Sequence, residues 1–428
     1  MRERKNISTV ALETLGCKLN QAESESMVRQ LAAAGYRIVQ PSDGADVYIL
    51  NTCTVTHVAD RKSRHLLRLA RRRNPNALII AIGCYVERAP EELAGVEEVD
   101  ITLDNEEKTF LVQVLHQAGL MDTAPAIDPS PMLRTRSMVK IQEGCNQFCS
   151  YCIVPLVRGR ERSLSPEQIV DMVKARVAMG YREVVLTGTQ IGAYSPSLEL
   201  GLRRVLAESD VARLRISSLQ PQDLSPQLIA LWDDRRLCRH LHLPLQSGSD
   251  RVLVRMRRRY STADYEQAVT MVREAIPDIA ITTDIMVGFP GESAGEFERS
   301  YRFCRQIGFA NIHVFPYSER PGTAAAQMPD KVPEGVKKER SAVMLGLARE
   351  SALRFRQQFL GRTMAVLWEQ KTEEEEVWSG RTDNYIRVFT KSSQRLENRL
   401  VEARITDWRN GNLWGELCTG KPSSALRL

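Results

Sequence analysis

The sequence predicts an α/β protein in three parts: an N-terminal open parallel α/β sheet, a central partial (β/α)6 barrel and a C-terminal small β-barrel. Three observations lead to this prediction. Short apolar segments alternate with helical ones, six strand and helix units follow residue 136, and short alternating strands begin after Gly361. A chain of 428 residues is too long for one core, so we expect domains over 1–125, 136–358 and 360–428.

The N-terminal part alternates strands and helices. Apolar patterns predict strands at 9–15, 47–50 and 77–82, and helical periodicity predicts helices at 20–34 and 57–73. The third strand is a continuous apolar run, which is typical of a strand buried on both faces of a parallel sheet. Residues 121–135 contain three prolines and no periodicity, so we interpret them as a linker.

The central part repeats the strand and helix unit six times. The predicted strands are 138–141, 183–187, 213–217, 240–244, 280–287 and 311–317. Helical spacing covers 166–179, with Ser165 as its N-cap, and 262–275. Six such units predict an incomplete α/β barrel, in which functional residues lie at the carboxyl ends of the strands.

A helix at 337–360 precedes the C-terminal part. Five short strands follow, at 363–368, 377–380, 384–389, 400–406 and 413–417, with a hairpin turn at 410–412. This pattern predicts a small barrel of the oligonucleotide-binding type. Residues 361–428 contain 11 basic and 10 acidic residues, so this barrel alone is poorly suited to bind phosphates.

Composition excludes membrane proteins and secreted disulfide scaffolds. The chain is 43% hydrophobic and 26% charged, no apolar run approaches a membrane span, and no apolar signal core follows the N-terminus. We therefore expect a cytoplasmic protein without a membrane partner. In that reducing compartment, nine Cys indicate metal binding or chemistry before disulfides.

Two clusters of basic residues stand out against a net charge of only +6. They occupy 61–73 and 251–259. Such clusters could contact a phosphate backbone, although a solvated helix face is the more common explanation for any single cluster.

Three Cys follow the first strand of the central part with C-x3-C-x2-C spacing: Cys145, Cys149 and Cys152. Three thiolates at this spacing can hold three irons of a [4Fe–4S] cluster and leave the fourth iron open for chemistry. A structural zinc site is the alternative. It would need a second pair of ligands downstream, and the sequence has none at zinc-finger spacing.

Three more Cys each follow a predicted strand of the N-terminal part: Cys17, Cys53 and Cys84. Because carboxyl ends of parallel strands meet at one edge of a sheet, we expect these thiols to converge on a second cluster with an exposed iron. Three unrelated buried thiols are the alternative. We interpret Cys238, Cys304 and Cys418 as buried free thiols.

The cysteine motifs resemble the radical S-adenosylmethionine (SAM) superfamily, and their flanks resemble its methylthiotransferase branch. The resemblance rests on 144–155 (GCNQFCSYCIVP), 158–163 (RGRERS), 14–25 (TLGCKLNQAESE), 51–56 (NTCTVT) and Gly83-Cys84, and it covers essentially the whole chain. It implies two [4Fe–4S] clusters and SAM as cofactors. The Cys145/Cys149/Cys152 cluster would make a 5'-deoxyadenosyl radical, and the other would hold the sulfur that a second SAM methylates.

The same resemblance suggests where SAM binds. Residues at three strand ends would contact it: Gly188 and Thr189, Ser217 and Ser218, Gly288 and Phe289. Taken singly, each pair could be an ordinary turn.

The sequences of residues 18–25 (KLNQAESE) and 59–64 (ADRKSR) are similar to those of the branch that acts on threonylcarbamoyladenosine in tRNA. That likeness implies methylthiolation at C2 of the adenine next to the anticodon, where an unactivated C–H bond requires a cofactor-derived radical. The partners would be a tRNA anticodon stem-loop and an electron donor such as flavodoxin or ferredoxin, and the sulfur source stays open. We expect a monomer. The C-terminal barrel resembles the TRAM domain, which is associated with RNA binding.

Three alternatives remain at this point. The chain could modify isopentenyladenosine in tRNA, or an aspartate of a ribosomal protein, by the same chemistry. It could also be a non-catalytic iron–sulfur protein that binds RNA.

Overall fold

The computed structural model describes residues 9–119 and 135–418, which divide into two compact units. The first unit comprises residues 1–133, 143–161 and 318–326, and the second comprises the rest. The loop from Cys145 to Cys152 therefore belongs to the same unit as the N-terminal residues. Nearly all of the predicted linker at 121–135 lies outside the described residues, and the division into three domains stays a prediction.

The first unit is built on a parallel sheet of five strands in the order β2-β1-β3-β4-β5. The strands are β1 (Thr9–Thr14), β2 (Arg37–Ile38), β3 (Val47–Thr52), β4 (Leu78–Gly83) and β5 (Ile101–Leu103). The helices are α1 (Lys18–Ala33), α2 (His57–Arg73), α3 (Cys84–Arg88), α4 (Pro90–Ala94), α5 (Leu111–Gln117) and α6 (Val154–Arg158). This sheet confirms the predicted open parallel α/β fold.

Strand β3 lies at the centre of this sheet and is buried at all six positions. Its side chains alternate between two cores, Val47 and Ile49 on one face and Tyr48 and Leu50 on the other. A strand covered by helices on both faces can be apolar throughout, which explains why its pattern is continuous.

The second unit begins with an arc of six parallel strands, in two sheets of three. The elements here are β6 (Arg136–Lys140), β7 (Gln142–Glu143), β8 (Arg162–Ser163), α7 (Pro166–Ala178), β9 (Glu183–Thr187), α8 (Leu198–Glu208), β10 (Arg213–Ile216), α9 (Pro226–Ile229), β11 (His240–His242), α10 (Asp250–Arg255), α11 (Thr262–Ala275), β12 (Ala280–Val287), α12 (Ala294–Ile307), β13 (Asn311–Pro316) and α13 (Glu334–Gln357). A parallel bridge between Leu214 and Leu237 connects the two sheets. The predicted partial barrel is confirmed.

Side chains of the arc alternate between an apolar outer face and a polar inner face. Leu186, Ile216 and Leu241 point outward into one core with the helices. Glu183 and Arg215 occupy the inner face, where they form a fully buried ion pair of 2.8 Å. Charged groups lie inside the arc because each has a partner there.

The chain ends in a closed five-stranded barrel in the order β14-β15-β16-β18-β17. Its strands are β14 (Thr363–Lys371), β15 (Val377–Thr382), β16 (Arg387–Lys391), β17 (Leu400–Arg409) and β18 (Asn412–Leu417). All pairs are antiparallel except β16 with β18. Closure leaves no open edge and confirms the predicted small β-barrel.

A turn of this barrel packs Tyr385 against the arc. Tyr385 stacks on His240 with ring centroids 4.7 Å apart. The guanidinium groups of Arg136, Arg215 and Arg381 lie 5.3, 4.7 and 4.5 Å from the centre of its ring. Cations over an aromatic face are favourable, so Tyr385 joins the barrel to the arc within the second unit.

Among the helices of residues 9–119 and 135–418, none is both long and apolar enough to cross a bilayer.

Candidate functional site

The structure places three of the predicted site residues at one edge of the first sheet. Cys17, Cys53 and Cys84 follow β1, β3 and β4, which are neighbouring parallel strands. Cys53 and Cys84 are buried, whereas Cys17 is exposed. An edge with one exposed and two buried thiols can hold a metal group that remains accessible from outside.

Gly16 lets the chain pass close to Cys53. Its φ is +98°, and a Cβ at this position would lie 2.7 Å from Cβ and 2.8 Å from Sγ of Cys53. Any other residue would clash there and would adopt a strained backbone. The glycine before Cys17 therefore sets the spacing of two of the three thiols.

Both buried thiols hold their protons strongly when no metal is bound. Burial raises the pKa of Cys53 to about 12, and the thiols of Cys17 and Cys84 add to that rise. Burial also raises the pKa of Cys84, while Arg158 and Lys108 oppose the rise. Metal binding at this edge must therefore release protons, and the two cations favour the thiolate form.

Buried polar groups of α1 connect the ends of these strands. Asn20 donates from Nδ2 to the carbonyls of Leu15 and Thr52, at 2.8 and 2.9 Å. Asn51 donates to the carbonyl of Asn20 and to Ser24, both at 3.0 Å. These contacts give the 18–25 segment a structural role beside any role in recognition.

Glu23 connects α1 to the segment that follows the second set of Cys. Its carboxylate accepts from Arg158 at 2.9 Å and from Lys108 at 2.8 Å. Arg158 also donates to Glu143 at 2.8 Å. This buried network ties both cysteine segments into one unit.

The loop with the other three Cys is held by backbone contacts. The amide of Cys145 donates to the carbonyl of Gly159 at 3.1 Å, and that of Cys152 donates to Cys149 at 3.0 Å. The amide of Gln147 lies 3.3 Å from Sγ of Cys145. An N–H aimed at a sulfur stabilises a thiolate, as around iron–sulfur clusters.

The two cysteine sets come together within the first unit. Cys84 packs in a small buried cluster with Ile153 and Val157, and Ile153 directly follows Cys152. Asn105 strengthens this contact, because its Nδ2 donates to the carbonyl of Val157 at 2.6 Å and lies 4.0 Å from Sγ of Cys84.

Sequence reasoning missed a second buried network in this unit. Arg320 donates from Nη2 to Asp60 at 2.7 Å and to Thr54 at 2.8 Å. Thr54 directly follows Cys53, and the nearby amide of Ala325 donates to Ser150 in the other cysteine loop, at 2.7 Å. The 318–326 segment therefore supports both sets of Cys. Because the partners of this segment lie far away in the sequence, no local sequence pattern predicts these contacts.

In the second unit, two of the predicted SAM contacts have features of a ligand site. The hydroxyls of Thr189 and Ser217 are buried and have no hydrogen-bond partner within the described chain. Buried hydroxyls rarely stay unsatisfied, so they are suited to a bound polar group. Ser218 is half-buried, and Gly188 has no room for a side chain because Gln142 Oε1 lies 2.8 Å from its Cβ position.

Gly288 and Phe289 are enclosed by protein. A Cβ on Gly288 would lie 2.4 Å from Cγ of Lys337. The ring of Phe289 is fully buried and meets Tyr317 edge-on, with centroids 5.6 Å apart. Only the backbone of these two residues can therefore face a ligand.

Two of the remaining Cys are buried in the second unit, Cys238 and Cys304, as predicted. Cys418 is exposed, so the prediction of a buried thiol was wrong there. It directly follows β18, where the alternation of a strand no longer determines burial.

The inner face of the arc carries a cluster that the sequence did not predict. Asp284 lies 3.2 Å from Nε2 of His242 and 3.2 Å from Nδ1 of His313. Burial alone would raise the pKa of Asp284, but hydrogen bonds from both histidines hold it below the usual value. The three groups meet because β11, β12 and β13 are adjacent strands.

Comparisons with known proteins cover both units. A family model described as the radical SAM superfamily matches residues 139–304, and one described as uncharacterized protein family UPF0004 matches residues 9–104. Each set of three Cys falls within one of these matches.

Curated relatives match nearly the full length of the chain. The threonylcarbamoyladenosine tRNA methylthiotransferase MtaB of Bacillus subtilis is 37% identical over 423 residues, which cover 93% of this chain and 94% of the relative. A tRNA-2-methylthio-N(6)-dimethylallyladenosine synthase of Caldicellulosiruptor saccharolyticus is 36% identical over 434 residues, 96% of this chain and 92% of the relative.

A solved structure shares the fold. It is the radical S-adenosylmethionine methyltransferase TsrM of Kitasatospora setae, with a TM-score of 0.55 and 15% identity over 75% of this chain and 77% of that one. At this identity the similarity concerns architecture alone.

Proposed function

Because the chain belongs to the radical SAM methylthiotransferase family, we propose that it attaches a methylthio group to C2 of N6-threonylcarbamoyladenosine next to the anticodon of tRNA. The observation that carries this proposal is the meeting of two three-cysteine sets in one unit, since methylthiolation needs a radical and a sulfur source. The MtaB relative is named for this substrate. The product is 2-methylthio-N6-threonylcarbamoyladenosine.

The cofactors follow from the family and from the donor sets. A radical SAM protein uses SAM and a [4Fe–4S] cluster, and we assign its ligands to Cys145, Cys149 and Cys152. We assign a second [4Fe–4S] cluster to the other set. Each set has three thiols, the remaining three Cys of the chain lie in other segments, and N–H groups point at sulfur in both sets, which suits a cluster with one open iron. When bound, these groups supply the radical and hold the sulfur.

The protein groups around the sites have distinct tasks. Arg158 and Lys108 favour the thiolate form of Cys84. The hydroxyls of Thr189 and Ser217, which have no hydrogen-bond partner in the described chain, would bind polar groups of SAM. Ser218 and the backbone of Gly188, Gly288 and Phe289 would complete the SAM contacts.

The partners belong to the same proposal. The anticodon stem-loop of tRNA binds with its target base unstacked, as is usual for modified loop bases. The closed C-terminal barrel is a TRAM domain that contributes to RNA binding. The electron donor is of the flavodoxin or ferredoxin type, and the enzyme acts as a cytoplasmic monomer.

The decisive experiment uses protein reconstituted anaerobically with iron and sulfide. It is mixed with dithionite, SAM and an anticodon stem-loop RNA that carries threonylcarbamoyladenosine or isopentenyladenosine. We expect 5'-deoxyadenosine in both mixtures and the methylthio product only on the first RNA, as measured by nucleoside mass spectrometry. Product on the isopentenyl RNA alone would show the activity of the dimethylallyladenosine relatives. No 5'-deoxyadenosine from protein with verified clusters would favour a non-catalytic RNA-binding protein.

Cysteine variants test the division between the two sets. Replacing Cys17, Cys53 and Cys84 by Ala should preserve 5'-deoxyadenosine formation and abolish methylthiolation. The matched control is Cys418→Ala, which removes an exposed thiol outside both sets and should act as wild type. Methylthio product from the triple variant would refute the role assigned to the second cluster.

A further inference from the structure

A polar cluster and an exposed aromatic ring lie side by side on the inner face of the arc. His242, Asp284 and His313 alternate along their strands with residues that pack against the helices. Those neighbours are Leu241, Leu243, Ile285 and Ile312. The three polar side chains therefore point to the inside of the partial barrel, where parallel α/β folds bind their substrates.

The hydrogen bonds of Asp284 determine which atom His313 presents. An ionised carboxylate can only accept, so Nδ1 of His313 must carry the proton that it donates to Asp284 at 3.2 Å. Nε2 is then the outer atom. It has no hydrogen-bond partner in the described part of the chain, and the side chain is 49% exposed.

Phe315 lies two residues further along β13 and faces the same way. It is paired in register with Met286 of β12, and the residue is 44% exposed. An aromatic ring left open inside a barrel offers a surface on which a purine can stack. The inner face of the arc therefore presents the apolar ring of Phe315 beside the polar side chain of His313. This pair matches an adenine that carries a polar substituent.

We propose that His313, oriented by Asp284, accepts at Nε2 a hydrogen bond from the hydroxyl of the N6-threonylcarbamoyl group and thereby distinguishes this group from an apolar N6 substituent. The proposal rests on the function proposed above. It makes His313 a specificity-determining residue, with Phe315 as the stacking surface for the adenine.

The polar cluster also explains rejection of a prenyl group. An isopentenyl chain offers no hydrogen bond, so placing it here would desolvate Nε2 of His313 without compensation. A binding site that hydrogen-bonds a polar group of its substrate strongly rejects an analogue without that group. An apolar pocket rejects an analogue with an extra group far less strongly.

The cluster of His242, Asp284 and His313 is explained without a bound metal, since each histidine ring contacts a different oxygen of Asp284 at hydrogen-bond distance.

The test compares two amide variants of one residue. In His313→Asn the amide nitrogen replaces Nδ1 and keeps the contact with Asp284, whereas in His313→Gln the amide oxygen replaces Nε2 and keeps an outer acceptor. The matched control is His116→Gln, an exposed histidine on α5. We would measure kcat/KM for methylthiolation of the threonylcarbamoyl RNA, together with 5'-deoxyadenosine formation without RNA.

We expect His313→Asn to lower kcat/KM by about 10- to 100-fold, the range for leaving a buried hydroxyl without its hydrogen-bond partner. His313→Gln and the control should stay within about fivefold, and all variants should form 5'-deoxyadenosine as wild type does. Equal activity of His313→Asn and wild type would overturn the proposal, as would loss in the Gln variant with retention in the Asn variant. Wild-type activity on isopentenyl RNA alone would instead refute the proposed function on which it rests.

Discussion

Glu23 and Arg158 form an ion pair of 2.9 Å between α1 and α6, with side chains only 5% and 3% exposed. Replacing Arg158 by Met should lower the free energy of unfolding by about 3 kcal/mol, the lower end for breaking a buried pair, because Lys108 still pairs with Glu23. Urea unfolding of the cluster-free protein measures this loss.

The control for this prediction is an exposed pair in the same unit. Arg68 lies 3.8 Å from Glu98 near the surface. Arg68→Met should cost less than about 1 kcal/mol. Equal losses in the two variants would show that burial of the Glu23 pair does not matter.

Gly16→Ala should disturb the first cysteine set selectively. The added methyl group would lie within 2.8 Å of both side-chain atoms of Cys53 and would strain a φ of +98°. We expect roughly half of the iron to be lost while 5'-deoxyadenosine formation persists, because only one of two cluster sites is affected. Iron analysis and chromatography of the nucleoside provide the measurement.

Gly44→Ala separates backbone strain from the clash. Gly44 also has a positive φ, +69°, but its nearest neighbour would be 3.8 Å from the new Cβ. Its iron content should equal that of wild type. A similar loss in both variants would mean that strain in the first unit, and not contact with Cys53, releases iron.

Tyr385 should be a stability centre of the second unit. Tyr385→Ala removes a ring that stacks on His240 and contacts three arginines, so we expect a loss of about 3–5 kcal/mol. Tyr385→Phe keeps the ring and loses the 3.2 Å hydrogen bond that Arg136 donates to the hydroxyl, at a cost of about 1 kcal/mol. Thermal unfolding compares them, and equal losses would contradict a role for the ring.

Thiol reactivity should depend on burial and pH. Burial raises the pKa of Cys238 to about 12, although Arg215 opposes the rise. An unfolded thiol has a pKa of about 8.5, so folding favours the protonated form, and this contribution to stability is lost as pH rises from about 8.5 toward 12.

At pH about 8, near the ordinary thiol value, iodoacetamide should therefore label Cys418, which is exposed, and leave Cys238 and Cys304 unlabelled in folded protein. Peptide mass spectrometry reports the sites. Labelling of Cys238 before unfolding would show that the core around it opens.

Local sequence patterns predicted the helices and strands that are stabilised by contacts within the same segment. Helix α2 was predicted at 57–73 and occupies His57–Arg73, because Thr56 caps its first turn and its buried residues recur at helical spacing. The strand predicted at 384–389 begins only at Arg387. Tyr385 adopts a φ of +68° and leaves the strand, and its ring packs against Arg136 and Arg215, which are far away in the sequence.

The sequence by itself determined the order of strands and helices and the two sets of three Cys, because apolar periodicity and spacing are local properties. Only the tertiary structure decided how buried charges pair, as in Glu23 with Arg158 and Asp60 with Arg320, and that His313 meets Asp284. These partners are 29 to 260 residues apart. A buried charge is stable only beside its counterpart. The packing of helices, loops and neighbouring strands, which local sequence does not encode, brings the two together.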